Sequence, residues 1–139
     1  MSGLSYTAEA VASGDGRNGH VRTDDGLVDL RLGIPAGIGG AGGQVSNPEQ
    51  LFAAGYAACF LSALNSVARS QRVKLTGADV RAMVTIAAGE DGFGLSVRLI
   101  AHLPGVDPAT GEELLGAAHR KCPYSKAVSG NIPVTLHLA

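Results

Sequence analysis

Charge is scarce in this sequence of 139 residues, where charged side chains make up 17% against about 25% in an average soluble domain. Hydrophobic residues make up 45%, a composition that excludes an intrinsically disordered chain. The formal net charge of −1 provides no general attraction to nucleic acid or to an anionic membrane, and we predict neither as a partner. The low charge also indicates that a partner subunit covers part of the surface.

Targeting and membrane signals are missing as well. The first ten residues, MSGLSYTAEA, contain neither the basic nor the apolar region of a signal peptide. The longest uncharged apolar stretch, residues 51–64, is short for a bilayer span and typical of a buried core helix. We therefore expect a cytoplasmic protein with a single domain over residues 1–139. In that compartment two cysteines are more often reduced or redox-active than a permanent disulfide.

Common cofactor motifs are absent. The glycine-rich run at residues 39–43 lacks the Gly-Lys-Ser/Thr ending of a phosphate loop, which argues against nucleotide binding. The four histidines are His20, His102, His119 and His137. No two of them have the sequence spacing of a pair of metal ligands, and scattered histidines of this kind are typically surface or structural residues. We expect no bound metal or cofactor.

Turn and capping residues divide the chain into strands and helices. Strands are predicted at residues 4–12 and 19–32, the second interrupted by a hairpin turn at Asp25-Gly26, and an irregular loop at residues 33–45. Asn47 as N-cap and Pro48 at the first helical position predict a helix that runs to about Gln71. The first half of this helix is apolar on every side, which predicts burial all round.

The second half of the chain contains a hairpin, a helix and a closing strand. Strands are predicted at residues 79–88 and 94–103, a helix at residues 107–121 capped by Asp107, and a strand at residues 132–138. Cys122-Pro123 ends that helix and starts a short helical turn. Because strands and helices do not alternate, the order β-β-β-α-β-β-α-β predicts an α+β fold rather than a doubly wound sheet.

The two cysteines are the candidate reactive residues. A lone cysteine in an apolar helix, such as Cys59, is by default a small buried hydrophobic residue. Cys122 lies at a helix junction, where a helix N-terminus favours the thiolate. The two residues are 63 positions apart, so spacing alone says nothing about whether they pair.

Two motifs around these cysteines resemble the signatures of the organic hydroperoxide resistance (Ohr) proteins, a branch of the Ohr/OsmC superfamily of thiol peroxidases. They are NPEQLFAAGYAACF at residues 47–60 and CPYS at residues 122–125. The similarity extends over essentially the whole chain, through Gly16-Arg17-x-Gly19, the Asp25-Gly26 turn, Pro35, Gly39-Gly40 and Gly130-Asn131-Ile132. Lys126 departs from the pattern, where Asn is expected.

The resemblance implies an OsmC-like α+β fold in which antiparallel sheets wrap around central buried helices in an intertwined homodimer. It implies that Cys59 is the peroxidatic cysteine, that Cys122 resolves it to a disulfide, and that Arg17 and Glu49 complete the site. The substrate would be an alkyl or lipid hydroperoxide, in contact with Phe52 and Tyr56. No cofactor would be bound, and the lipoyl groups of dehydrogenase complexes would serve as the external dithiol reductant.

Two alternatives remain open from the sequence. One is an OsmC-type peroxidase with a different substrate preference, and the other is a non-catalytic domain that binds apolar ligands.

We also expect Glu49 to act on the Cys59 of the other subunit. The two residues are ten positions apart on one predicted helix, and thus about 15 Å apart along its axis.

Overall fold

The computed structural model describes residues 3–139. Within that range the chain forms two compact units, of which the first ends at Pro48 and the second runs from Glu49 to Ala139. Three strands are followed by a long helix, two strands, two helices and a last strand. This order confirms the α+β class expected from the sequence. A single domain over residues 1–139 stays a prediction.

The first unit contains a three-stranded antiparallel sheet with strand order β1-β2-β3. The strands are β1 (Ala10–Gly14), β2 (Gly19–Thr23) and β3 (Asp29–Arg31), followed by a short 3-10 helix at Ala36–Ile38. The turn between β2 and β3 has the predicted sequence. Gly26 adopts a φ of 74°, and the Asp25 carboxylate accepts hydrogen bonds from the Leu27 amide and the Thr23 hydroxyl.

The prediction of a strand from residue 4 is wrong at its start, because β1 begins at Ala10. The register explains the difference. Ala10 pairs with Thr23, the last residue of β2, and the chain then enters the turn at Asp24 and Asp25. Apolar alternation continues towards the N-terminus to Tyr6 and Leu4, but β2 extends no further to pair with it.

The second unit consists of three helices and a three-stranded sheet with strand order β4-β5-β6. Its elements are α1 (Pro48–Ser70), β4 (Asp79–Gly89), β5 (Gly92–His102), α2 (Pro108–Lys121), α3 (Pro123–Val128) and β6 (Val134–Leu138). The predicted start of α1 at Pro48 is confirmed. The cap of α2 is confirmed too, because the Asp107 carboxylate accepts a hydrogen bond from the Thr110 amide.

The sheet of the second unit is mixed, which corrects the expectation of wholly antiparallel sheets. β4 and β5 form the predicted antiparallel hairpin, whereas β6 pairs with β5 in parallel, with Val97 opposite Val134. The reason is the connection between them. After β5 the chain passes through α2 and α3 and returns to the edge of the sheet at which β5 begins. β6 then runs in the same direction as β5, as in any parallel pair.

The core of this unit lies between α1, α2 and the inner face of the sheet. α1 buries one face: Tyr56, Phe60, Ala63, Leu64, Val67 and Ala68. The prediction of burial all round is wrong for the single chain, because Ala54, Ala58 and Ser62 on another face are exposed. Within the second unit α1 contributes to one core, and its opposite face is exposed.

α1 is long and apolar enough to cross a membrane by length and composition, with a mean hydropathy of 1.5 over its best 18-residue window. It is the one helix of this kind among residues 3–139. Core helices pass the same test. The six buried residues of α1 belong to the hydrophobic core described above, which is the arrangement of a core helix.

Candidate active site

The structure brings Cys59 and Cys122 together, and their sulfur atoms lie 3.4 Å apart. Both are free thiols. They differ in accessibility, because Cys59 on α1 is half-buried whereas Cys122 is fully buried, with 0% of its surface exposed. A disulfide needs a separation of about 2.05 Å, so the two sulfurs are one small movement from bonding distance.

Cys122 is held at the junction of two helices by its own backbone. Its amide donates to the Ala118 carbonyl and so ends α2, while its carbonyl accepts from the Lys126 amide and so begins α3. Pro123 restricts the preceding residue to extended backbone, and Cys122 has φ −62° and ψ 123°. The sequence Cys-Pro therefore forces a break at this point and turns the thiol inward.

Burial raises the pKa of the Cys59 thiol, because a buried thiolate loses its hydration. The backbone amide of Tyr124 opposes this effect with a hydrogen bond to the sulfur, and the neighbouring Cys122 sulfur adds to the rise. The residues of the second unit that surround Cys59 therefore favour its protonated thiol form. A nucleophilic Cys59 would need a positive charge nearby.

A hydrogen-bonded network lies beside the two sulfurs, and it is buried except at His119, which is half-buried. The Ser125 hydroxyl is 2.7 Å from the Tyr56 hydroxyl and 2.8 Å from Nδ1 of His119. Tyr56 is 0% exposed and Ser125 1% exposed. The sequence indicated no role for Ser125 and a merely structural one for His119. The missed signal is their spacing, since each lies one helical turn from Cys122.

Three aromatic rings, from α1 and α3, pack against one another near the cysteine pair. The Tyr124 ring packs 5.6 Å from that of Tyr56 and 6.1 Å from that of Phe52. Gly55 makes room for this ring, because a Cβ there would lie 2.5 Å from the Tyr124 hydroxyl. The predicted substrate contacts of Phe52 and Tyr56 stay predictions; Phe52 is half-buried and Tyr56 is completely buried.

A cleft of about 380 Å³ opens at Cys59. This volume is within the range of small-molecule sites, roughly 300–1,000 Å³. The middle of α1, the end of α2 and the start of α3 provide the lining residues; they are Cys59, Ser62, Ala63, Ser66, Lys121 and Pro123. Because Cys122 is fully buried, a molecule in this cleft reaches the sulfur of Cys59 first.

Arg17 and Glu49 lie in different units. Arg17 is half-buried in the turn between β1 and β2, and Glu49 is the acidic residue in the first turn of α1. α1 is unbroken from Pro48 to Ser70, so Glu49 and Cys59 lie on one continuous helix as expected. The role of each in the site stays a prediction.

The remaining histidines lie away from the cysteine pair in sequence, and two of them contact aspartates. His20 contacts Asp29 across β2 and β3, and His102 contacts Asp79 across β4 and β5. Within residues 3–139 no group of three or more metal-binding side chains is present.

Comparison with known proteins decides the family. A family model described as "OsmC-like protein" matches residues 41–137. The organic hydroperoxide resistance protein of Xanthomonas axonopodis pv. citri is 48% identical over 135 residues, which cover 96% of this chain and 94% of that protein. The chain belongs to the organic hydroperoxide resistance branch of the OsmC-like family.

Solved structures agree with this assignment. A Legionella pneumophila organic hydroperoxide resistance protein superimposes with a TM-score of 0.90 at 49% identity, over 96% of this chain and 97% of that one. One from Elizabethkingia anophelis gives 0.91 at 48% identity, over 100% and 99%. The resemblance drawn from the two cysteine motifs and the expectation of an OsmC-like fold are therefore confirmed.

Proposed function

We propose that this chain is a cysteine-based, dithiol-dependent peroxidase that reduces organic hydroperoxides to alcohols. The observation that supports it best is the 3.4 Å separation of a half-buried and a fully buried free thiol at a small-molecule cleft. The names of the relatives, organic hydroperoxide resistance proteins in Xanthomonas and Bacillus, point to the same substrate class.

The proposed reaction proceeds by two sulfur steps. The Cys59 thiolate attacks the terminal oxygen of the hydroperoxide, the O–O bond breaks, and the alkoxide takes a proton to leave as the alcohol. Cys59 is then a sulfenic acid. The Cys122 sulfur attacks it, water leaves, and a Cys59–Cys122 disulfide remains. The sulfur pair has given two electrons to the peroxide.

Arg17 and Glu49 are proposed to activate Cys59. The raised pKa of Cys59 makes a stabilising cation necessary, and a guanidinium is always charged at neutral pH. It would favour the thiolate and polarise the O–O bond of the peroxide. Glu49 would bind the guanidinium through two hydrogen bonds and fix its direction.

Organic peroxides suit this site better than hydrogen peroxide. Phe52, which is half-buried, and Tyr124, a residue that is 39% exposed, offer apolar surface on α1 and α3. An alkyl chain gains from burial against such rings, at about 25 cal/mol per Å² of apolar surface, whereas hydrogen peroxide gains nothing.

An external dithiol would regenerate the enzyme, and the family resemblance points to lipoyl groups on cytoplasmic proteins. One thiolate of the dithiol attacks a disulfide sulfur, and its second thiol releases the mixed disulfide as a cyclic one. Because Cys122 is fully buried, the attack falls on Cys59. No bound cofactor is needed for this cycle.

A homodimer with shared active sites is part of the proposal. Glu49 and Cys59 are about 15 Å apart along the unbroken α1, too far for one guanidinium to contact both side chains without nearly full extension. Two α1 helices packed antiparallel about a two-fold axis would bring Glu49 of one chain towards Cys59 of the other. The exposed residues Ala54 and Ala58 of α1 would then be covered.

Stopped-flow kinetics with the purified reduced protein test the activity. We expect rapid loss of thiol with tert-butyl and cumene hydroperoxide, slower loss with hydrogen peroxide, and turnover with dihydrolipoamide but little with thioredoxin. A preference for hydrogen peroxide would favour the OsmC-type alternative. No thiol-dependent reaction with any peroxide would favour a non-catalytic ligand-binding domain.

Mixed dimers test the shared site. A dimer of one Glu49→Ala chain and one Cys59→Ser chain has one complete site if Glu49 acts across the dimer, and none if it acts within its own chain. We expect about half of the wild-type activity per mixed dimer. An active monomer in gel filtration, or an inactive mixed dimer, would contradict the shared site.

A further inference from the structure

The three helices next to the two cysteines are joined by one hydrogen-bonded network, in which Tyr56 and Ser125 are buried and His119 is half-buried. Tyr56 lies on α1, His119 on α2 and Ser125 on α3. The Ser125 hydroxyl contacts both other members, at 2.7 Å to the Tyr56 hydroxyl and 2.8 Å to Nδ1 of His119. A serine hydroxyl can donate one hydrogen bond while it accepts another, so Ser125 satisfies both contacts together.

The members of this network are spaced along the helices in step with the cysteines. Tyr56 precedes Cys59 by three residues, His119 precedes Cys122 by three, and Ser125 follows Cys122 by three. Residues three apart on α1 lie on nearly the same face. Burial raises the pKa of the Tyr56 hydroxyl, which also lies close enough to both sulfurs for their charges to raise that pKa further. The network therefore lies alongside the sulfur pair and links the helices on both sides of the Cys122 break.

We propose that Tyr56, Ser125 and His119 are positioning residues that hold Cys122 against Cys59 and so make disulfide formation faster than overoxidation. This inference rests on the proposed peroxidase function and adds residues to it. α3 has only six residues, so its own backbone hydrogen bonds are few, and Ser125 is its one buried residue. The contacts of Ser125 therefore fix the α3 side of the Cys122 junction.

The position of Cys122 matters because the Cys59 sulfenic acid has two fates. The Cys122 sulfur can displace water from it and form the disulfide, or a second hydroperoxide can oxidise it to the sulfinic acid and release another alcohol. The first fate requires the sulfurs to close from 3.4 Å to about 2.05 Å. A displacement of about 1 Å can slow such a pre-oriented reaction by as much as roughly 100-fold.

The competition between these fates gives a direct test. The full-length protein is turned over with dihydrolipoamide and increasing cumene hydroperoxide, and mass spectrometry measures the peroxide concentration at which half of Cys59 is sulfinic acid. This threshold reports the ratio of the two rates when every variant is exposed to peroxide for the same time and circular dichroism confirms that it is folded. We expect Ser125→Ala and His119→Ala to lower it by roughly 10- to 100-fold.

Matched variants separate positioning from loss of packing. Tyr56→Phe keeps the buried ring and removes only the hydroxyl, and we expect it to lower the threshold too. His119→Asn places an amide near the position of Nδ1, and we expect it to retain more of the wild-type threshold than His119→Ala. Ser129→Ala makes the same chemical change at the exposed end of α3, where we expect no effect.

The outcomes are distinguishable. Wild-type thresholds in Ser125→Ala, His119→Ala and Tyr56→Phe would overturn the positioning role while leaving the peroxidase function intact. A wild-type protein in which peroxide produces neither sulfenic acid nor disulfide at Cys59 would overturn the proposed function and this inference together. A lowered threshold in Ser129→Ala equal to that in Ser125→Ala would also count against a specific network.

Discussion

Gly55 offers the sharpest test of how α1 and α3 pack. A glycine inside a helix costs about 1 kcal/mol relative to alanine, so Gly55→Ala would stabilise an isolated helix by that amount. In this structure the added Cβ would lie 2.5 Å from the Tyr124 hydroxyl and 3.0 Å from the ring carbon that bears it. Ordinary contact begins at 3.4 Å, so the Tyr124 hydroxyl would have to recede by about 0.9 Å.

That movement weakens two aromatic contacts, with Phe52 at 6.1 Å and with Tyr56 at 5.6 Å between ring centroids. Such pairs contribute about 0.5–1.5 kcal/mol each. Their loss outweighs the gain in helix propensity, and we expect Gly55→Ala to lower the free energy of unfolding by about 1 kcal/mol. Urea denaturation followed by circular dichroism measures this difference.

The control removes the obstacle. In a Tyr124→Ala background, Gly55→Ala meets no ring and should raise the free energy of unfolding by about 1 kcal/mol. The double-mutant cycle thus predicts a coupling of about 2 kcal/mol between the two positions. If Gly55→Ala stabilises the wild type and the Tyr124→Ala protein equally, the close packing of Tyr124 on α1 is refuted.

Three further predictions concern the thiols and the cap of α2. Cys59→Ser should abolish peroxide reduction, because no other nucleophile replaces the thiolate. Cys122→Ser should complete one turnover and then accumulate overoxidised Cys59. Sustained turnover of Cys122→Ser with dihydrolipoamide would disprove the resolving role. Oxidised wild type should run as a monomer on non-reducing denaturing gels, and a trapped mixed disulfide with a small thiol should map to Cys59; a covalent dimer as the main product would contradict the pairing. Hydrogen bonds from the Thr110 hydroxyl and amide lower the pKa of Asp107 from 3.8, so its stabilising effect is present above pH 3.8 and is lost as the pH falls below it. Thermal unfolding measures the stability of the wild type relative to Asp107→Asn. This relative stability should fall as the pH drops below 3.8 and stay constant well above that value.

Local sequence signals predicted the elements that begin or end at a capping or turn residue. Pro48 and Asp107 start α1 and α2 as expected, and Asp25-Gly26 forms the predicted turn. The errors concern strands whose start or direction depends on the strand with which they pair. β1 starts late because β2 ends at Thr23, and β6 is parallel because of the path through α2 and α3. No local pattern contains that information.

The candidate site divides in the same way. The two cysteines were found through the motifs around them, but Tyr56 and Ser125 are 69 residues apart in sequence, and only the fold brings them together. Their spacing of three from a cysteine was visible in the sequence. It could be interpreted only once both cysteines were known to share one site, because a serine or histidine near a helix end is usually a capping or surface residue.

The unequal burial of the two sulfurs gives the proposed cycle its direction. Cys59, at the cleft, can meet both a hydroperoxide and an external thiol, whereas Cys122, with 0% exposure, can meet only Cys59. Cys122 is therefore protected from direct oxidation and from mixed disulfides with other thiols. In return, its reaction depends entirely on the alignment of one sulfur pair. A buried resolving cysteine thus requires rigid support, and Ser125, hydrogen-bonded to α1 and α2 from within α3, is placed to provide it.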